Sequence, residues 1–266
     1  MKHITQLQVD EFHENGFITL PQYLSIDVVD MLSNQVNLLE QSEYPGHVLE
    51  DHGKGYRALH GCHLYNSVFM RLIRSSCFLG PAMAILNDEV YVHQLKINLK
   101  KPFHGELWPW HQDYIYWREK DGVPRDSIIS AMLFLDDITE FNGPLFIIPK
   151  SHKLGSLEPK IGGGSSNWDK DVSADLSFQV DETLVGELVR KNGIYSATGS
   201  RGTVLWFHGN IVHASPSNIS PFHRRVAIIT YNGISNTPPK NREDMRPAFL
   251  CARDTAPLTN EIIESL

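Results

Sequence analysis

The chain has 266 residues, 41% of them hydrophobic, which suits one large domain with a sizeable core. Its formal net charge of −7 offers no basic surface to nucleic acid, and no stretch approaches the about 18 to 20 apolar residues of a membrane span. Cys62, Cys77 and Cys251 are scattered and make a poor disulfide framework, and the opening MKHITQLQVDEF has no apolar leader, so the expectation is a soluble protein of the reducing cytoplasm, monomer or homodimer.

Thr5 caps a first helix through Glu11 and Phe12, with Leu7, Val9 and Phe12 as apolar contacts and Gly16 as its stop. Residues 16–20 read as a short strand. Ser25 caps a second helix whose Val28, Val29, Leu32, Val36 and Leu39 recur at three- and four-residue spacing and define one buried face. Residues 43–63 are polar, contain Gly and His, and are expected to be loop. Asn66 opens a third helix, with Val68, Leu72 and Ile73 inward. From Glu89 the period changes. Residues 91–99, 128–135, 145–148, 202–207 and 225–231 are short runs rich in β-branched or aromatic residues, separated by turn residues. Asn142-Gly143 marks a tight turn between two of them. Strands at this spacing indicate an all-β sandwich or barrel. A Gly- and Ser-rich island within 162–175 interrupts them and is expected to be a mobile loop. The predicted organisation is a single domain over 1–266. Helices within 5–88 pack on a β barrel over 89–250, with a lid loop near 160–176.

Thirteen histidines are too many to be informative by number alone, and His3, His13, His47, His52, His60 and His63 sit in polar or irregular context. Trp110-His111-Gln112-Asp113 is different. In an extended strand, residues i and i+2 share a face, so His111 and Asp113 would offer an imidazole nitrogen and a carboxylate oxygen to one point. His213 follows the strand 202–207 and its turn. Two histidines and one carboxylate leave coordination positions open, the facial triad of iron(II) oxygenases. His-x-Asp by itself is a permissive motif and is commonly a surface pair. Arg224 lies eleven residues past His213, at the head of the next apolar strand. A guanidinium fork suits a bidentate carboxylate, as a dicarboxylate co-substrate would require. Arg225 must point the other way in a strand, and spacing alone does not choose between the two.

These residues resemble the phytanoyl-CoA dioxygenase superfamily of iron(II)/2-oxoglutarate enzymes, and within it the ectoine hydroxylase-like branch that acts on amino-acid-like metabolites. The likeness spans residues 9–254. It is carried by Gln94-x-x-x-Asn98, Trp110-His111-Gln112-Asp113, Trp117, Asp121-Gly122-Val123-Pro124, Asn142-Gly143-Pro144-Leu145, Ile148-Pro149-x-Ser151-His152, His213, Asn218, Pro221-Phe222, and Arg246-Pro247 through Ala252-Arg253-Asp254. The resemblance implies a double-stranded β-helix, a jelly-roll, cupin-like barrel with flanking helices. It implies iron on His111, Asp113 and His213, and the distal 2-oxoglutarate carboxylate on Arg224, with Asn98 and Ser130 helping to hold the co-substrate. Gln94 and Trp117 match positions that contact ectoine. Ile228 replaces a Phe that encloses the ectoine ring, Gln112 replaces a Ser, and the run Tyr114-Ile115-Tyr116-Trp117-Arg118 is not the ectoine version. Asp113 fills the position that halogenases of the superfamily leave open to chloride.

The function expected is therefore that of an Fe(II)/2-oxoglutarate-dependent dioxygenase. It would use dioxygen to hydroxylate an unactivated C–H of a small amino-acid-like or zwitterionic metabolite, in natural-product or compatible-solute biosynthesis. Trp108, Trp110, Tyr114, Tyr116, Trp117, Phe134 and Trp206 are the aromatics available to line or back its pocket. An ectoine hydroxylase proper is the narrower alternative. Two His and a carboxylate also suit zinc, so a metal-dependent hydrolase or isomerase on a cupin-like barrel is the alternative of another class, and a non-catalytic small-molecule binder is the third.

Overall fold

The computed structural model describes residues 4–50, 53, 55–161, 168–172, 176–239 and 245–259. The N-terminal part is α1 (Gln6–Asn15), β1 (Phe17–Leu20), α2 (Ile26–Gln41), β2 (His47–Leu49), β3 (Tyr56–His60), α3 (Cys62–Tyr65), α4 (Ser67–Arg74) and α5 (Ser76–Leu86). Next come β4 (Val90–Lys100), β5 (Trp108–His111), α6 (Tyr114–Tyr116), a π-helical turn (Trp117–Asp121), β6 (Ile128–Phe134) and β7 (Leu145–Ile147). The remainder is β8 (Lys160–Ile161), a 3-10 turn (Trp168–Val172), β9 (Phe178–Gln179), α7 (Glu182–Asn192), β10 (Tyr195–Ala197), β11 (Val204–His208), β12 (His213–Ser215) and β13 (Arg224–Gly233).

The caps read from sequence are present. The Thr5 hydroxyl accepts from Gln8 N while the Gln8 side chain accepts from Thr5 N, and Gly16 ends α1 at φ 82°. Ser25 caps α2, and the Asn66 carbonyl oxygen accepts from Val68 N and Phe69 N to start α4. Leu7 departs from expectation: it points to solvent, and only Val9 and Phe12 of α1 are buried. The stretch expected to be loop, 43–63, holds β2, β3 and the start of α3 instead. Four of the five β3 residues are buried, so the alternation that marks a half-exposed strand is missing.

Among the described residues, thirteen strands form a seven-stranded sheet in the order β1-β11-β6-β13-β4-β3-β2, a four-stranded sheet in the order β10-β7-β12-β5, and the small pair β8-β9, all antiparallel. The first two sheets face each other as a double-stranded β-helix, the expected jelly roll. No ladder joins their edges among the described residues, so the roll is an open sandwich rather than a closed barrel.

Both faces of the large sheet are covered, and period-two alternation sorts them. Leu95, Ile97 and Leu99 of β4, Ile129, Ala131 and Leu133 of β6, and Ala227, Ile229 and Tyr231 of β13 join the core under α1, α2, α4 and α5. The opposite faces put Met132, Phe134, Val226 and Ile228 against Ile147 and Ala197 of the small sheet. On β4 that inner face is polar: Gln94, Lys96, Asn98 and Lys100 all point between the sheets and all are largely buried. Among the described residues no single helix is long and apolar enough to cross a membrane.

Of the expected lid, residues 162–167 and 173–175 lie outside the described residues. Between them, Trp168 of the 3-10 turn packs edge-on to Phe249 at 5.1 Å, and Ser177 Oγ donates to Asp171 Oδ1 at 2.7 Å.

Trp206 belongs to the helix-side core, fully buried and stacked on Tyr231 at 6.1 Å. Trp206→Ala should therefore lower unfolding stability by about 3 to 5 kcal/mol, read as a shift of the urea midpoint at unchanged slope.

Candidate active site

β5 and β12 pair so that His111 lies directly opposite His213, their ring centroids 4.2 Å apart. Each imidazole is fixed by its own strand. His111 Nδ1 donates to the Pro109 carbonyl at 2.6 Å and His213 Nδ1 to the Ile211 carbonyl at 3.0 Å. A carbonyl can only accept, so Nδ1 carries the proton and Nε2 presents its lone pair to the interior. Asp113 completes the set, but not from a strand. β5 ends at His111, and Asp113 is helical at φ −69° and ψ −36°, with Tyr114 N bonded to the Gly209 carbonyl at 2.9 Å. A strand end followed by a turn, rather than i and i+2 of one strand, brings the carboxylate round. Asp113 Oδ1 is 3.6 Å from His111 Nε2, and Oδ2 is 3.9 Å from His213 Nε2.

All three ligand atoms lie within 4.8 Å of one another in a buried setting. Burial first, and then His111, pushes the His213 imidazole down to about 3. Burial alone would raise the Asp113 carboxyl, yet Lys96 and the two imidazoles hold it well below the usual carboxylate range. The set presents two imidazole nitrogens and one anionic oxygen donor, which is the donor chemistry that fits a divalent iron.

Two cavities meet at this point and share Lys96, Trp108, His111 and Asp113 as walls. One, of about 420 Å³, runs towards Asn98, Met132, Leu145, Phe207, Ser215, Arg224 and Ile228. Arg224 is buried at its far end, where Nη2 donates to Ser215 Oγ at 3.2 Å. Arg224 Nε and Asn98 Oδ1 are buried with no hydrogen-bond partner. Unsatisfied buried polar atoms of this kind fit a polar ligand seated between Arg224 and the triad. Burial and then Arg57 push the Arg224 guanidinium down to about 9, so it is cationic at neutral pH. Arg225 faces the helices: Nε and Nη2 grip Asp136 at 2.9 and 2.7 Å. Of the two arginines, Arg224 is the one that lines the cavity.

The other cavity, of about 400 Å³, is lined by His60, Gln94, Tyr116, Trp117, Asp171, Val172, Leu176 and Arg246 beside the shared residues. Gln94 Nε2 donates to the Leu250 carbonyl at 3.1 Å. Trp117 starts the π-helical turn and Asp121 ends it. Asp121 takes Arg246 Nε and Nη2 at 2.7 and 2.6 Å and is backed by His93 Nε2 at 2.8 Å. His93, Asp121 and Cys251 form a second group of ligand-type atoms within 4.8 Å. Both Asp121 oxygens are committed, and burial pushes the Cys251 thiol up to about 12, so this group is an anchor for Arg246 rather than a metal site.

The structure thus brings together His111, Asp113, His213, Asn98 and Arg224, and separately Gln94 and Trp117. It sets Ser130 apart: its hydroxyl bonds to Thr230 Oγ1 at 3.0 Å and lines neither cavity. Ile228 sits in the Arg224 cavity, not with Gln94 and Trp117. Trp110 packs outside near Val180 and Leu188, and Trp206 belongs to the helix-side core. Gln112 points away, donating to the Asn210 and Gly155 carbonyls at 2.6 and 2.9 Å. Sequence reasoning missed Lys96, Asp171, Arg246 and His60. Lys96 had a signal, since it falls midway between Gln94 and Asn98 on one strand face, and Arg246 stands among the motifs of the resemblance.

A jelly roll with an inward His–Asp–His set beside a buried arginine defines a mononuclear non-haem iron oxygenase. The family model of phytanoyl-CoA dioxygenase (PhyH) matches residues 12–226, and the chain belongs to that family. L-proline trans-4-hydroxylase of Streptomyces griseoviridis is 38% identical over 250 residues, covering 93% of this chain and 92% of that one. Ectoine dioxygenase of Halomonas elongata is 33% identical over 254 residues, covering 93% and 76%. The crystal structure of EctD from S. alaskensis with 2-oxoglutarate and 5-hydroxyectoine superposes with a TM-score of 0.83 at 31% identity, covering 97% of this chain and 87% of that one.

The two ligand-type groups predict opposite outcomes. Asp113→Ala should weaken iron(II) binding by roughly tenfold or more, whereas His93→Ala should leave the iron stoichiometry of the folded protein unchanged. Anaerobic iron titration of both variants checks this.

Proposed function

We propose that this protein is an Fe(II)- and 2-oxoglutarate-dependent hydroxylase of a small amino-acid-like substrate, with a cyclic amino acid such as L-proline as the first to test. The observation that carries it is the meeting of two differently furnished cavities at one triad. His111, Asp113 and His213 hold iron(II) through Nε2, a carboxylate oxygen and Nε2. Arg224 grips the distal carboxylate of 2-oxoglutarate, Ser215 orients the guanidinium, and Asn98 supplies a further polar contact along the way. Iron(II), with 2-oxoglutarate and dioxygen, supplies the oxidising power that replaces C–H by C–OH while 2-oxoglutarate becomes succinate and carbon dioxide.

The residues of the chain do the rest. Trp108 forms the wall between the two cavities and is itself held by the Arg57 guanidinium, 3.7 Å from its ring centroid. Lys96, with Nζ 3.8 Å from Asp113 Oδ1, supports the ionised carboxylate. Trp117, Tyr116, Val172 and Leu176 give the substrate cavity apolar walls that exclude water from the reacting C–H. Lys96, Arg246 and Asp171 place both signs of charge in that compact space, which supports a zwitterion over an acyl chain. Ile228 lies with the co-substrate residues, so the loss of the ectoine-type Phe acts through that side. A zinc hydrolase on the same scaffold would have no use for the Arg224 cavity. Three free cysteines and a ferrous cofactor suit the cytoplasm, and walls drawn from both large sheets support one catalytic domain.

Anaerobically iron-loaded protein with 2-oxoglutarate should form succinate and a product heavier by one oxygen from L-proline or a related cyclic amino acid, read by mass spectrometry. Absence of coupled succinate across free amino acids and ectoine would overturn the proposal. Arg224→Ala should raise the KM for 2-oxoglutarate by roughly thirtyfold or more and leave the substrate KM nearly unchanged. Arg225→Ala should leave the 2-oxoglutarate KM as it is.

A further inference from the structure

The substrate cavity holds a polar group that iron and 2-oxoglutarate do not account for. His60 ends β3 in direct register with Lys96 on β4, so both side chains point between the sheets. It is 1% exposed, and neither Nδ1 nor Nε2 has a hydrogen-bond partner. Buried imidazoles are ordinarily satisfied, and one that opens onto a cavity with both nitrogens unbonded is built to meet a ligand. Its neighbours say which kind. Lys96 stands opposite it, and Arg246 is held in the same cavity by Asp121. Both cations disfavour the imidazolium, and burial does so more strongly, so His60 is neutral and offers one N–H. Three side chains that carry N–H donors thus line the same cavity. Asp171 is the carboxylate there that lies outside the triad.

We propose that His60 is the residue that recognises the carboxylate of the substrate: its N–H donates to that carboxylate beside Lys96 and Arg246, while Asp171 faces the cationic nitrogen. This rests on the amino-acid substrate proposed above. It assigns to β3, a strand with no part in holding the metal, the choice between a free amino acid and its uncharged derivatives. A neutral donor suits that task, because it keeps its N–H through the pH range in which the substrate remains a zwitterion.

The test compares L-proline with L-prolinamide, which lacks the carboxylate charge, on wild type, His60→Phe and His60→Gln. Phe keeps the ring and removes the donor; Gln keeps a donor. His60→Phe should raise the KM for L-proline roughly ten- to a hundredfold, leave the 2-oxoglutarate KM and iron stoichiometry unchanged, and shrink the preference for L-proline over L-prolinamide by a similar factor. His60→Gln should recover part of that preference. An unchanged L-proline KM in His60→Phe would overturn the role, as would a general loss of rate with the acid-to-amide ratio intact, which is the mark of a packing residue. Should His60→Phe not fold, His60→Leu is the donor-free variant read by the same ratio. Wild type inactive on every amino acid would overturn the hydroxylase proposal together with this one; wild type active with an unaltered ratio in the donor-free variant would overturn this one alone.

Discussion

The register of β5 on β12 is the constraint from which the site follows. Antiparallel pairing sets His111 against His213, and a slip of a single residue would turn one ring to the opposite face. β12 is only three residues long, but β7 pairs with its other edge, so it is held from both sides. Two residues beyond His213, Ser215 faces the same way and meets Arg224. Its hydroxyl then donates to the Gly143 carbonyl at 3.0 Å, at the Asn142-Gly143 turn, where Gly143 has φ 85°. One short ladder therefore aligns His111 with His213, meets Arg224 through Ser215 and ties both to a turn whose positive φ favours glycine.

Around that ladder the interior carries an excess of cations. Lys100 donates to the Ser215 and Pro216 carbonyls, and burial, then Arg224, holds its ammonium well below the ordinary lysine range. Arg57 is balanced by Glu50 at 3.1 Å. Among the described residues Arg224 has no acidic partner within ion-pair distance, whereas its neighbour Arg225 is engaged by Asp136. Burying unpaired charge opposes folding, so keeping Arg224 in this state costs stability. Under the proposed function, the dianionic co-substrate supplies the missing counter-charge.

Much of this was legible in the chain itself. The caps Thr5, Ser25 and Asn66 and the helical period of α2 are local properties, and each element forms where its sequence predicts. The triad was legible because its motif, Trp110 through Asp113, stands beside a distant His213 with an arginine at a set spacing. What escaped notice was non-local. β3 was hidden because it is buried on both faces, which erases alternation, and His60 was hidden with it. Asp171 lies on a short 3-10 turn and Arg246 on an irregular segment, and their approach to the cavity depends on Ser177 and Asp121. The bend that places Asp113 is set by the Gly209 carbonyl, far away in sequence, and no reading of His-x-Asp contains it.

The two cavities have different ancestries in the chain. His111 and His213 come from the paired strands β5 and β12, and Asn98 and Arg224 from the paired strands β4 and β13, so altering one disturbs its partner; Asp113 alone follows a strand end. The substrate cavity draws on β3 near the sheet edge, the π-helical turn, the 3-10 turn and the segment bearing Arg246. β3 joins the centre through its ladder with β4, whereas the Arg246 segment is held by the Asp121 side chain. Selection can therefore rewrite what is oxidised while the oxidising machinery stays fixed, and grafting those segments between relatives is the shortest route to a new specificity.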